Sequence, residues 1–453
     1  MSGAGAEPPR LGRWIGVRGR LVPSLVLPAF FVTSLALLAG ERLRAAGRGG
    51  GGGASTPIVL LAPSGRPAAS APATMTVLPS TRVFRPAPGV RVRSGAPTMR
   101  HLDPARTNRS PFVAPGRPVV RWAVELGAPI ATAPVVAPAK DGAPRLVITT
   151  LGGSVVFFDL SGSEQGRVEL RERIYGSPAV LGGLVWIGVD QGSVVAIDPD
   201  KAKIVRRLRL GRDDADTAIL PEEGPPATVT FAAGSTLYRA RSDGTFLVRE
   251  TLARKVYGSP ARLPDGGVVV GGQDDAVTLL EQDGSIRRRV VLSGDVDGSP
   301  AIADDGTIYV GTDGEEVVAL TPAGEIVWRR AVQGAVRGAL AVARDGMVLV
   351  STYGPTPAIL GLDPGDGHPV IRFGLQGTGA REHGIHGAPI EAEGGTLLFG
   401  GPDDLVHALA PDGSLLWAVD VGDDVDGTLA LVADHVVIAG TSGGRVVCID
   451  SLP

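Results

Sequence analysis

Three short groupings in this 453-residue chain have side chains of the types and spacing that chemistry requires. The first is Glu382-His383-Gly-Ile-His386, two imidazoles and a carboxylate of the kind that bind a transition metal. They lie in a connection longer than its counterparts, and no separate third ligand accompanies them, so a solvated loop is the plainer reading. The second is the pair Asp295-Val-Asp297-Gly298 and Asp424-Val-Asp426-Gly427. Each fragment offers two carboxylates, whereas a calcium loop needs about five oxygen positions and a closing Glu. Turns whose Asp side chains bond backbone N–H groups account for both. The third is Gly440-Thr-Ser442-Gly-Gly444, which has the spacing of a hydrolase nucleophile elbow. An elbow joins a strand to a helix; here the strand-like run RVVCID follows, so this is a hairpin turn. No GxxxxGK phosphate loop is present. These groupings assign no catalytic residue, no metal site and no cofactor.

A further grouping emerges when the chain is aligned with itself. VYGSPARLPDGGVVVGGQDDAVTLLEQDGSIRRRVVLSG (256–294) is followed by VDGSPAIADDGTIYVGTDGEEVVALTPAGEIVWRRAVQG (296–334). The residues just before each GSP-like tripeptide are Ala131, Tyr175, Asp216, Tyr257, Asp297, Arg337, His386 and Asp426. Their spacings are 44, 41, 41, 40, 40, 49 and 40, the signature of a stacked or radial repeat. If the repeats form a ring, these residues meet at one mouth of its central channel. Tyr175, Asp216, Tyr257, Asp297, Arg337, His386 and Asp426 then form a concave, mixed polar and aromatic site suited to a small ligand or a protein loop. The plainer alternative is that they bond neighbouring repeats and close the ring.

Each repeat contains four short, valine-rich runs separated by Gly, Asp and Pro, which read as strands. Four strands in 40 residues is one propeller blade, so the expectation is an all-β, eight-bladed propeller of four-stranded blades over 118–453. The last repeat ends after its third strand, and PVVRWAVELG (118–127) lacks three partners before it. Trp122 lies nine residues before Ala131, as Trp328 and Trp417 lie nine before Arg337 and Asp426. That N-terminal strand should therefore complete the last blade and close the ring, leaving no open end.

Ahead of the repeats, 21–40 is an uncharged run of twenty residues, long enough to span a bilayer as a helix. Arg10, Arg13, Arg18 and Arg20 precede it and favour a cytoplasmic tail at 1–20. The expectation is a signal anchor that leaves the propeller on the extracytoplasmic, periplasmic side; a cleaved signal peptide, giving a secreted protein, is the alternative. Residues 41–98 are Gly- and Pro-rich and read as a disordered linker. Residues 99–117 mix charged and apolar types and read as a lead-in packed on the repeats. Lys and Arg total 44 against 47 Asp and Glu, so no basic excess points to nucleic acid.

The repeats resemble those of the pyrroloquinoline quinone (PQQ)-like propeller superfamily, which includes quinoprotein alcohol dehydrogenases and BamB-type assembly lipoproteins. Ala319…Gly324…Trp328 and Ala408…Gly413…Trp417 carry the blade pattern, and Ala196 with Asp198, and Asp363 with Gly367, carry part of it. Tryptophan is replaced in most blades, for example by Arg206 and Ile371. DPARTNRSP is similar to the segment that precedes such propellers. The enzyme members, by this resemblance, use a vicinal Cys–Cys disulfide, a calcium with carboxylate and amide ligands, and an Asp base. This chain has one cysteine, Cys448, and one asparagine, Asn108, which lies outside the blades. The cysteine count also removes a lipid anchor near the N-terminus. The expected function is a non-catalytic, membrane-tethered scaffold for a protein partner or small ligand, in envelope or outer-membrane protein assembly. A PQQ-dependent dehydrogenase and a ligand-sensing propeller are the alternatives.

Overall fold

A computed structural model describes residues 96–376 and 383–452. The expected anchor at 21–40, the tail and nearly all of the linker lie outside the described residues, as do Arg381 and Glu382. Among the described residues no helix is long and apolar enough to cross a membrane.

Among the described residues the short apolar runs form eight sheets, in which successive strands of a repeat pair antiparallel. Blade 2 shows the plan: Ala179–Leu181 innermost, then Leu184–Val189, Ser193–Asp198 and the outer strand Lys203–Arg209. The middle two strands of that blade are almost wholly buried, because both faces pack against neighbouring blades. Their side chains build the cores between blades, such as Trp186 and Ala196 against Phe231 and Tyr238 of blade 3. Blade 8 takes its outer strand from Pro118–Glu125, paired antiparallel with Arg445–Ser451 and with Trp122 opposite Cys448. The first strand of the repeat region thus closes the ring on the last.

The outer strands dock on the next blade through one recurring position. The indole Nε1 groups of Trp122, Trp328 and Trp417 donate to the carbonyls of Leu160, Pro364 and Pro115 at 3.1, 2.8 and 2.8 Å. Gly162 and Gly367 lie against the first two rings, where a Cβ would meet the indole. Arg206 and Arg288 occupy the same register in blades 2 and 4. Their guanidinium groups donate to the turn carbonyls of Asp243 and Ala323. Arginine therefore replaces the tryptophan without losing the cross-blade bond.

The lead-in does more than pack on the ring. Its carbonyls, with those of Pro97 and Thr98 from the end of the segment expected to be a disordered linker, run across the ends of the innermost strands and accept their unpaired N–H groups. Val136 and Val180 donate to Pro97 and Thr98, and Arg262, Ile302, Val342 and Glu391 donate to Pro104, Ala105, Thr107 and Asn108, all at 2.7–3.1 Å. Each donor lies five residues after its aligned mouth residue. In blade 3 the equivalent is Pro221, which has no N–H, and there the chain turns through Met99–Asp103 instead of bonding. Arg109–Val113 then pairs in parallel with Ile390–Glu393 as a fifth strand of blade 7. This path forces His101, Leu102, Arg106 and Asn108 to positive φ, between 61° and 69°. It also buries Arg106 completely, with Nε donating to the Pro260 carbonyl at 2.7 Å. Burial pushes that guanidinium down to about 9.

Asn108 anchors the belt: its Nδ2 donates to the carbonyls of Ala388 and Pro389 at 3.3 and 2.6 Å. Asn108→Ala should destabilise the propeller by about 1–3 kcal/mol, the usual loss when buried bonds go unmade. Urea unfolding should show a lower midpoint at unchanged slope; an unchanged midpoint would show that the belt is not structural.

Candidate functional site at the open channel mouth

The innermost strands run from the aligned mouth residues to the belt. At about 3.3 Å per residue, five residues separate the two ends by about 17 Å. The GSP-like turns touch one another around the axis. A Cβ on Gly338, Gly387 or Gly427 would lie 2.9 Å from the carbonyl oxygen of His386, Gly427 or Thr132 of the following blade. The last of these contacts returns to blade 1. Elsewhere the turn hydroxyls bridge: Ser177, Ser259 and Ser299 accept from the N–H groups of Ala133, Ala218 and Ser259 at 2.9–3.0 Å. Ala131, Tyr175, Asp216, Tyr257, Asp297, Arg337, His386 and Asp426 thus occupy equivalent positions at one end of the ring.

A second ring, unseen in the sequence, interleaves with the first. It comes from the turns between the second and third strands. Asp190, Gln273, Asp313, Tyr353 and Ser442 each donate a backbone N–H to the residue two before the aligned one of their own blade. Side chains of this ring meet the aligned residue of the next blade. The Asp313 carboxylate accepts from Arg337 Nε at 3.0 Å. The Tyr353 ring lies 4.6 Å from that of His386, and the Arg337 guanidinium stands 5.2 Å from the Tyr353 centroid. In blade 8 the Ser442 hydroxyl instead donates to Asp426 of its own blade at 2.7 Å. Between blades 3 and 4, Lys255 pairs with Asp216 at 2.8 Å and lies 4.4 Å from the Tyr257 centroid. Several aligned residues therefore do bond their neighbours, as the plainer reading expects.

Among the described residues the mouth gathers more acids than cations. Asp190, Asp214 and Asp216 bring carboxylate oxygens within 4.8 Å of one another, and so do Asp404, Asp423 and Asp424. Hard oxygen clusters of this kind can hold a divalent cation. Burial, and then the charges of Asp214 and Asp216, push Asp190 up to about 7. Burial and the neighbouring Asp313 and Asp295 do the same to Asp297, against the opposing Arg337. Asp424 also rises to about 7, through burial and then Asp426 and Asp404. The register that finds Tyr257 and Asp297 would have found Asp190 and Asp313, had the turn after each second strand been aligned as well. Of the Glu382-His383-His386 grouping, Glu382 lies outside the described residues and His386 is engaged with Tyr353. The His383 carbonyl accepts from Gly354 at 2.6 Å, and burial lowers its imidazole below the usual range.

A family model described as outer membrane protein assembly factor BamB matches residues 232–402, from blade 3 into blade 7. BamB from Moraxella catarrhalis superposes with a TM-score of 0.59 at 15% identity, covering 73% of this chain and 99% of that one. The chain folds as a β-propeller similar to that of BamB. A europium-containing methanol dehydrogenase superposes with a TM-score of 0.64 at 11% identity, covering 79% of this chain and 98% of that one. The quinohemoprotein alcohol dehydrogenase of Comamonas testosteroni gives 0.65 at 11% identity, covering 80% and 81%. No curated protein matches the chain. An assembly factor and dehydrogenases share this PQQ-like architecture, so the likeness speaks to fold and the site must speak to chemistry.

The raised carboxyls make stability fall with rising pH. Unfolded Asp releases its proton near pH 4, while Asp190, Asp297 and Asp424 hold theirs to about 7. Between those values the folded state binds more protons, so stability contributed by these groups is full below about pH 4 and declines until about pH 7. Asp297→Asn should flatten part of that decline and raise the unfolding midpoint at pH 8. An unaltered pH profile would show that Asp297 is not held protonated.

Proposed function

We propose that the chain is an exported, membrane-tethered, non-catalytic propeller that holds a protein partner or small ligand at the acid-rich mouth. By analogy with BamB, its setting is envelope or outer-membrane protein assembly. The observation that carries this reading is the mouth itself: carboxyls buried and then crowded together, three of them pushed up to about 7, at the end of the channel away from the belt. A cationic segment entering there would let these groups ionise, so binding energy and relief of repulsion act together. Tyr175, Tyr257 and Arg337 supply aromatic and guanidinium anchors of the type enriched at binding hot spots.

The quinoprotein reading requires a cofactor socket. Cys448 is buried in the third strand of blade 8, packed between blades 8 and 1, and burial pushes its thiol well up. It cannot face a second cysteine over the channel, and Asn108 is spent on the belt. The donor set that the resemblance implies for PQQ and its calcium is not met, so no chemical step is assigned to this site.

The tagged full chain, extracted from native membranes, should co-purify a partner. Asp297→Asn with Asp424→Asn should lose most of it, and Arg337→Ala should weaken it, with folding retained by circular dichroism. Undiminished capture by all variants would remove the mouth from the account. Stoichiometric binding of PQQ with calcium would overturn the non-catalytic reading.

A further inference from the structure

We infer that a cleft on the outer rim, between blades 2 and 3, binds an aryl carboxylate or a similar planar, apolar monoanion. The site is separate from the channel mouth and does not depend on the function proposed above.

Arg167, Arg207, Arg249, Arg289, Arg329 and Arg372 lie at equivalent positions of six successive outer strands, opposite the middle of the third strand. Four of them meet a carboxylate. Arg167 pairs with Glu164 at 2.9 Å, Arg207 with Glu172 at 2.8 Å, Arg289 with Asp274 at 2.7 Å and Arg329 with Glu316 at 3.3 Å. Among the described residues none pairs with Arg249 or Arg372, and of these two only Arg249 lines a cleft. The Arg249 guanidinium stands 5.6 Å from the centroid of Tyr238, the residue directly opposite.

Arg209, at the end of the adjoining outer strand, adds a second guanidinium with no ion pair among the described residues. Together with Leu210, Gly211, Tyr238 and Phe246, these two arginines line a cleft of about 380 Å³. That volume falls within the range of small-molecule sites. No carboxylate lines it. Arg209 also borders a second cleft of about 330 Å³, but there Glu172 already balances Arg207.

The floor is apolar and rigid. Tyr238 is buried, stacks 5.5 Å from Phe231 and donates its hydroxyl to the Leu210 carbonyl at 3.4 Å. Phe246 tilts against it at 5.6 Å yet stays 41% exposed. A planar ring laid on Phe246 would cover that surface, and its carboxylate would reach guanidinium groups suited to bidentate pairing. A cationic or neutral ligand would leave both arginines unmatched, so the charge selects the anion.

The test is calorimetric titration of the full chain with 2-naphthoate, and with 2-naphthamide as its neutral counterpart. One saturable site for naphthoate is expected, with the amide at least tenfold weaker. The double variant Arg209→Gln, Arg249→Gln should lose at least tenfold in affinity, while Arg289→Gln, whose arginine is already paired, should bind as the unmodified chain does. Absence of saturable binding, equal affinity for the amide, or undiminished binding by the double variant would each overturn the proposal.

Discussion

The architecture depends on how closely the blades approach at the axis. At the start of six of the eight innermost strands the backbone of one blade lies against a carbonyl of the next, at a distance that leaves little or no room for a side chain. Gly338, Gly387 and Gly427 meet this constraint by having no Cβ. Where blades 1 and 3 carry threonine in the tripeptide, Ser177 and Ser259 bridge the gap with hydroxyl bonds. Because the contact recurs around the ring and returns from Gly427 to blade 1, no blade is terminal. The closing strand Pro118–Glu125 repeats that logic at the perimeter.

Tight closure leaves two ends with different chemistry. At one end the innermost strands offer N–H groups that no neighbouring strand takes, and the lead-in supplies carbonyls to them in order around the ring. At the other end the turns project side chains, and the interleaving of two rings concentrates aspartates faster than it supplies cations. The charge imbalance is thus a consequence of placing acidic turn residues around a narrow axis. Turn formation alone favours aspartate at each such position; burial at the axis, and then their convergence, raises the pKa of several at once.

The repeat period, the four-strand blade and the closing strand were legible because apolar runs and glycines recur with a period near 40 and Trp122 keeps the offset of Trp328 and Trp417. The belt was not, since its bonds use backbone carbonyls and any sequence presents those; only Pro221, the missing donor, leaves a mark in side-chain type. The second ring was hidden for a different reason. Asp190, Gln273, Asp313, Tyr353 and Ser442 share a backbone bond but differ in side chain, so no motif repeats. Arg206 illustrates the converse case. Read as a lost tryptophan, it keeps the cross-blade bond because a guanidinium can donate to the same turn carbonyl.

The central claim is that the acidic mouth is the working end and the belt is structural. Hydrogen exchange on the full chain, alone and bound to its captured partner, tests this directly. The account predicts new protection in the turns around Tyr175, Asp216, Asp297 and Asp426, with the belt amides of 99–108 already protected in the free chain. Protection appearing at the belt or on the outer strands, with the mouth turns unaffected, would contradict it.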